Sequence, residues 1–200
     1  MTILGLDFDN TLVHYDNLFH QLAVEKGLIG NTFPADKLLI RNYLRDKSLE
    51  DEFTLLQGEV YGSRILEAEP AEGMLSALIK LKKDGIHMIL VSHKTQTPYK
   101  GPKYNLHDAA WNWLHKYGFF ENTGIGWEKT QVHFAATKSE KIEMIKELKC
   151  THFVDDLEEV LEELPKSMRR IHYSPRADKT KDDFIPLKSW GDITNLIKHG

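Results

Sequence analysis

The sequence predicts an α/β fold: a parallel sheet covered by helices on both faces, with a helical segment inserted early. Three observations carry this. The apolar run Thr2–Leu6 ends at Asp7-Phe8-Asp9-Asn10-Thr11, as a buried strand runs into a turn. Residues 15–75 then read as helices punctuated by Gly and Pro. From Gly73 onward apolar strands alternate with helical patterns, the rhythm of parallel strands joined by crossover helices.

Each element has its own signal. Asn17–Gly27 is a helix with Leu18, Leu22 and Glu25 on its period and Gly27 as the stop. A second helix opens after Pro34 and carries Leu38, Leu39, Tyr43 and Leu44; a third covers Leu49–Tyr61. Met74–Lys83 is a helix ending at Asp84-Gly85, and Ile86–Val91 is the second strand. There follow a helix at Asn105–Tyr117 stopped by Gly118, a strand at Gln131–Phe134, a helix at Ser139–Lys149 and a strand at Thr151–Val154. A helix at Leu157–Leu164, a fifth strand at Arg170–Tyr173 and a helix at Trp190–Lys198 complete the pattern. The expected organisation is a Rossmann-like core of residues 1–14 and 76–200 interrupted by a helical insertion of residues 15–75. The loop Lys94–Tyr104 holds two prolines and a glycine and is the most irregular stretch of the core.

Bulk properties exclude several classes. A chain of 200 residues suits one α/β domain with a modest insertion. A formal net charge of -4 argues against a dedicated nucleic-acid binder. The lone Cys150 permits no intramolecular disulfide and reads as a helix-end residue. The N-terminus reaches Asp7 before a long apolar run develops, so no signal peptide or membrane span is expected and the expected setting is cytoplasmic.

In parallel sheets ligands bind beyond the carboxyl ends of the strands. Here those ends carry Asp7-Phe8-Asp9, Ser92-His93-Lys94, a run toward Lys138, and Asp155-Asp156. Residues two apart on a strand share a face, so Asp7 and Asp9 can address the same rim. Two neighbouring carboxylates repel, which favours one as nucleophile and the other as proton donor; the plainer reading is an acidic turn. Asp155 and Asp156 suit a hard cation, though Asp156 could simply cap the following helix. Lys138 and Lys141 open a helix capped by Thr137 with Glu140 completing a capping box, and cations there oppose the helix dipole. Ser92 could donate to a phosphoryl oxygen. No partner histidine stands at metal-ligand spacing from His93, so zinc is not expected.

Together these stretches resemble the haloacid dehalogenase superfamily over most of the chain. Ile3–Val13 (ILGLDFDNTLV) is similar to its first motif, Met88–Ser92 (MILVS) to its second, Lys141 in KIEMIKEL to its third and Phe153–Glu159 (FVDDLEE) to its fourth. The resemblance implies a Mg²⁺-dependent phosphatase in which Asp7 forms an aspartyl-phosphate and Asp9 protonates the leaving group and then activates water. It implies Mg²⁺ held by Asp7, the Asp9 carbonyl, Asp155 and Asp156, and a phosphoryl group bound by Ser92 and Lys141, with Thr11 stabilising the site. The short distance from Lys141 to Asp155 leaves Lys138 as a competitor. Asn10, His93 and Lys94 complete the expected substrate-binding set, and residues 15–75 resemble a small helical cap that closes over the site and selects the substrate.

The expected activity is hydrolysis of a small phosphate monoester, a sugar phosphate or a nucleotide, with no nucleic-acid or membrane partner. A phosphotransferase or phosphomutase would share the first half-reaction, and a catalytically silent phospho-ligand-binding protein is the non-enzymatic alternative. Dehalogenation is disfavoured by Asp9, because the resemblance implies no second aspartate for carbon–halogen cleavage. The basic residues Lys94, Lys100 and Lys103 either favour substrates with additional negative charge or are solvated lysines with no role in selection.

Overall fold

The computed structural model describes residues 2–176 and 180–198. In chain order the elements are β1 (Ile3–Leu6), β2 (Val13–His14), α1 (Asp16–Glu25), α2 (Lys37–Asp46), α3 (Glu50–Tyr61), β3 (Glu69–Pro70), α4 (Met74–Lys83) and β4 (His87–His93). They continue with α5 (Leu106–Lys116), β5 (Val132–Ala135), α6 (Lys138–Glu147), β6 (His152–Asp155), α7 (Glu158–Leu161), β7 (Arg169–Tyr173), β8 (Ile185–Leu187) and α8 (Ile193–Lys198). The chain divides into two units: one of residues 1–13, 70–94 and 118–200, the other of residues 14–69 and 95–117.

The first unit is a six-stranded sheet in the order β5-β4-β1-β6-β7-β8, flanked by helices, and every pairing within it is parallel. The chain moves from β1 outward through β4 to β5, then returns to the other side of β1 for β6, β7 and β8. That reversal makes the carboxyl end of β1 a topological switch point. Leu6 is in register with Leu90 on one side and Val154 on the other, and the Asp7 amide continues the ladder by donating to the Val154 carbonyl at 3.0 Å. Asp7 therefore emerges between the ends of β4 and β6.

Apolar burial holds this register. Ile89 and Val91 of β4, Ile142 and Ile145 of α6, Phe153 of β6 and Val160 and Leu161 of α7 form one contiguous core cluster with Cys150. Each fully buried aliphatic side chain contributes about 1.5–3 kcal/mol. Gly5 has a steric duty: a Cβ there would stand 2.4 Å from Phe153 Cδ2, so β1 and the Phe153 ring approach closely only because that position is bare. Thr137 caps α6 as expected, its Oγ1 accepting from the Glu140 amide at 3.1 Å, but the capping box is not completed: Glu140 Oε2 reaches past the cap and accepts from the Ala136 amide at 2.8 Å.

Three features depart from the sequence reading. The sheet has a sixth strand, β8, which Pro186 disguised; on an edge, a residue without an amide proton costs no ladder bond. The helix after β6 is only four residues long, and Asp156 does not cap it: Asp155 Oδ1 accepts from the Leu157 amide at 2.9 Å. The helical unit also differs from the expected 15–75: it is residues 14–69 and 95–117, so residues 70–75 go with the sheet and α5, which the α/β rhythm assigns to the core, goes with the helices. The reason lies in its side chains. Trp113, fully buried, donates to the Ala68 carbonyl at 2.9 Å, the Tyr117 hydroxyl lies 3.2 Å from the same oxygen, and Lys116 reaches the Leu66 carbonyl. Lys100 pairs with Asp51 of α3. Within this unit Phe19 and Phe53 stack at 5.4 Å, and Tyr15 meets Tyr61 edge-on at 4.9 Å.

Candidate active site

The first unit gathers its ionisable side chains at the carboxyl ends of β1, β4 and β6 and at the first turn of α6. Asp7 is 4% exposed and Asp155 fully buried, and the ammonium of Lys141 lies 2.6 Å from Asp7 Oδ1 and 2.6 Å from Asp155 Oδ2. Lys141 is itself buried, with its Nζ 5.5 Å from the centre of the Phe153 ring. Burial alone would lower the pKa of this lysine, but Asp7 and Asp155 outweigh it and hold the ammonium protonated well above its ordinary range. Burial pushes the Asp155 carboxyl up to about 7, with the Asp7 charge adding to the rise and Lys141 opposing it. Carboxylates that are this poorly solvated need a cation beside them.

Asp156 lies at the more exposed side of the group, where its Oδ2 accepts from Asn10 Nδ2 at 3.3 Å. Asn10 adopts a left-handed backbone, φ 58°, which an asparagine tolerates better than most residues and which turns the chain sharply after Asp9. Two buried hydroxyls, Thr11 Oγ1 in the turn after Asp9 and Ser92 Oγ near the end of β4, have no hydrogen-bond partner among the described residues. Buried hydroxyls are ordinarily satisfied, so these two, on the segments that follow β1 and end β4, are available to an oxygen-rich ligand.

Asp9 stands apart from the Asp7–Lys141–Asp155 group. Both of its carboxyl oxygens accept from Lys94 Nζ, at 3.0 and 2.9 Å. Ser92 and Lys94 lie inward and His93 outward, the two-residue alternation of a strand end.

The structure thus brings Asp7, Lys141, Asp155, Asp156 and Asn10 into one connected group and pairs Asp9 with Lys94, while Thr11 and Ser92 are buried in the segments that carry Asp9 and Lys94. Two expected members lie elsewhere. Lys138 is half-buried and pairs with Glu163 at 2.6 Å, because it starts α6 whereas Lys141, three residues along, is buried. His93 is exposed with Nε2 3.1 Å from the Ala136 carbonyl, on the opposite side of the strand from Ser92. The three basic residues grouped after β4 also separate: Lys94 is buried on Asp9, Lys100 pairs with Asp51, and Lys103 is exposed. What sequence reasoning missed is the pairing of Lys94 with Asp9; the two-residue spacing from Ser92 to Lys94 carried that signal.

A divalent cation fits this donor set. Asp7, Asp155 and Asp156 each offer an oxygen, all within 4.8 Å of one another. Two of these three acids, Asp7 and Asp155, are buried and share the single ammonium of Lys141. All-oxygen, all-carboxylate ligation suits hard cations and not zinc or copper.

No family model and no curated protein matches the sequence. Solved structures do match. A haloacid dehalogenase-superfamily hydrolase from Ehrlichia chaffeensis is 14% identical, with 100% of this chain and 98% of that chain covered and a TM-score of 0.56. Protein tyrosine kinase A from Mycobacterium tuberculosis is 13% identical, with 98% of each chain covered and a TM-score of 0.62. A phosphoserine phosphohydrolase-like protein from Francisella tularensis is 10% identical, with 98% and 100% covered and a TM-score of 0.59. With its parallel sheet, its switch point at Asp7 and these neighbours, the chain has the fold of the haloacid dehalogenase-superfamily hydrolases.

Proposed function

We propose that the protein is a Mg²⁺-dependent phosphatase that hydrolyses a small phosphate monoester, a sugar phosphate or a nucleotide, through an aspartyl-phosphate on Asp7. The observation that carries this is the Lys141 ammonium bridging Asp7 and Asp155 at the carboxyl ends of β1 and β6, with the Ser92 and Thr11 hydroxyls buried and unpartnered. A nucleophilic carboxylate after β1, a cation on α6 and two hydroxyl donors in β4 and the turn after β1 would form a seat for a phosphoryl group. Mg²⁺ would be held by Asp7, Asp155, Asp156 and the Asp9 carbonyl, and when bound it supplies charge neutralisation between the phosphate and the acidic cluster.

The side chains then divide the work. Asp7 attacks phosphorus as the bond to the leaving oxygen breaks, and Asp9 gives that oxygen its proton. Lys141, Ser92 and Thr11 hold the transferring oxygens and offset their charge against Asp7. Asp9, now a carboxylate, takes a proton from water as that water attacks the phosphorus of the aspartyl-phosphate. The Asp7–phosphorus bond breaks, and inorganic phosphate and the starting carboxylates are restored. Dehalogenation does not need the second carboxylate that Asp9 supplies. The buried thiol of Cys150, with no disulfide, fits a reducing cytoplasmic setting. Among the described residues no helix is long and apolar enough to cross a membrane, and the partner envisaged is a small phosphorylated metabolite.

A panel of phosphorylated metabolites incubated with Mg²⁺, read as inorganic phosphate released, tests the proposal. Turnover of at least one ester that Asp7→Asn abolishes supports it. Transfer of the phosphoryl group to an added alcohol in preference to water would instead identify a phosphotransferase. No phosphate release and no transfer across the panel would sink both readings.

A further inference from the structure

We propose that Lys94 is a positioning residue for Asp9, fixing its carboxylate on the leaving-group side and keeping it out of the cation cluster formed by Asp7, Asp155, Asp156 and Lys141. This rests on the phosphatase reading for its kinetic consequence, but the geometry stands without it. Lys94 Nζ donates to both Asp9 oxygens, at 3.0 and 2.9 Å, so the ammonium fixes the plane of the carboxylate as well as its direction. The lysine side chain is 2% exposed and the aspartate 24%, so the cation lies behind and the carboxylate in front. Both ends of the lysine are anchored. Its amide continues the β4–β5 ladder by donating to the Ala135 carbonyl at 2.9 Å, and its Nζ lies 5.3 Å from the centre of the fully buried Phe8 ring.

Asp9 needs such an anchor. It lies outside β1, in a turn closed by an isolated bridge to Val13 and bent at the left-handed Asn10. The Lys141 ammonium, and any cation held by the acids of the cluster, would otherwise attract it. Opposite charges at about 4 Å attract by several kcal/mol at the effective dielectric of a partly buried site, enough to redirect an unrestrained carboxylate. Lys94 thus divides the site into two ion groups. A buried ion pair is seldom the most stable filling for a core position, and apolar residues of equal size often do better. Retention of an ammonium here against that preference is accounted for by what it does to Asp9.

The test compares the wild type with Lys94→Met and Lys94→Gln, each checked for folding by circular dichroism; the Gln variant keeps one donor should the Met variant not fold. The kinetic arm uses a simple alkyl phosphate, whose leaving oxygen needs a proton, and 4-nitrophenyl phosphate, whose leaving group does not. Lys94→Met is expected to lower kcat on the alkyl ester about ten-fold more than on the nitrophenyl ester, with Lys94→Gln between, and to add nothing further in an Asp9→Asn background. Equal losses on the two esters, or full additivity with Asp9→Asn, would overturn the proposal. The binding arm needs no turnover: calorimetry of the substrate-free protein should show Mg²⁺ bound at least about three-fold more tightly by Lys94→Met, and the gain should vanish in Asp9→Asn/Lys94→Met. Unchanged Mg²⁺ affinity would also overturn it. Failure of the wild type to release phosphate from either ester would count against the phosphatase reading alone and leave the binding arm to decide the role of Lys94.

Discussion

Lys141 Nζ lies 2.6 Å from Asp7 Oδ1, linking the first turn of α6 to the end of β1 across 134 residues of sequence. The same nitrogen reaches Asp155, so one ammonium compensates two buried carboxylates on adjacent strands. Removing it leaves both without their cation.

Lys141→Met is therefore expected to destabilise the metal-free protein by about 3–5 kcal/mol, the usual cost of stranding a buried charge. Added Mg²⁺ should recover part of this, because it compensates the same carboxylates. Lys138→Met should leave turnover unchanged, since Lys138 sits on the surface opposite Glu163. Urea denaturation of both variants with and without Mg²⁺ checks the first statement, and phosphate release the second. Equal effects of the two substitutions would contradict the assignment of Lys141.

Asp7→Asn should abolish turnover, because an amide is a poor nucleophile and also removes one of the clustered oxygens. Asp9→Asn should retain a trace, with kcat down by about 10²–10⁴ on an alkyl phosphate, since the proton donor is lost while nucleophile and cation cluster persist. Single-turnover kinetics should trap phosphate on Asp9→Asn and none on Asp7→Asn. Near wild-type activity in Asp7→Asn would end the mechanism proposed here.

Much of this arrangement was legible in the sequence because parallel strands are apolar runs that stop abruptly where chemistry begins. Ile3–Leu6 stops at Asp7 and His152–Val154 at Asp155, and the register through Leu6 aligns those stops. The choice between Lys138 and Lys141 was not legible: three residues apart on a helix start, they differ only in which faces the sheet, and that depends on how α6 docks. The membership of α5 was hidden for a similar reason. Its pattern states that one face is apolar, through Leu106, Ala110, Trp113 and Leu114, but not that Trp113 will meet Ala68 in place of the sheet. Pro186 hid β8 because proline argues against a strand unless the strand is known to be at an edge.

Gly5 offers a test of the close packing beneath the site. Replacing glycine by alanine in a strand ordinarily gains about 0.5–1 kcal/mol through lost conformational freedom of the unfolded chain. Here the new methyl would meet Phe153 at 2.4 and 2.8 Å, and that ring is fully buried in the core cluster. Overpacking costs about 1–3 kcal/mol, so the clash should win and Gly5→Ala should be destabilising. A lower urea midpoint at unchanged m-value is the expected result. A raised midpoint would show that the ring yields.

The pH dependence of metal binding follows from Asp155. Burial raises its pKa from 3.8 to about 7 in the folded protein, so the carboxyl holds a proton across the acid range in which an unfolded chain has released it. A raised folded value stabilises the fold at low pH, and this contribution is lost as pH rises through about 7. The metal-free protein should therefore lose stability between mildly acidic and neutral pH relative to Asp155→Asn, whose amide does not titrate. Mg²⁺ binding must run the other way, since the cation needs the carboxylate. Its affinity should strengthen as pH rises toward 7 and level off above, with proton release per ion approaching about one in mildly acidic solution and falling to about half near pH 7. Calorimetry in two buffers of different ionisation enthalpy measures that proton directly. Mg²⁺ affinity independent of pH from about 5.5 to 8, with no proton released, would place Asp155 outside the metal's ligand set.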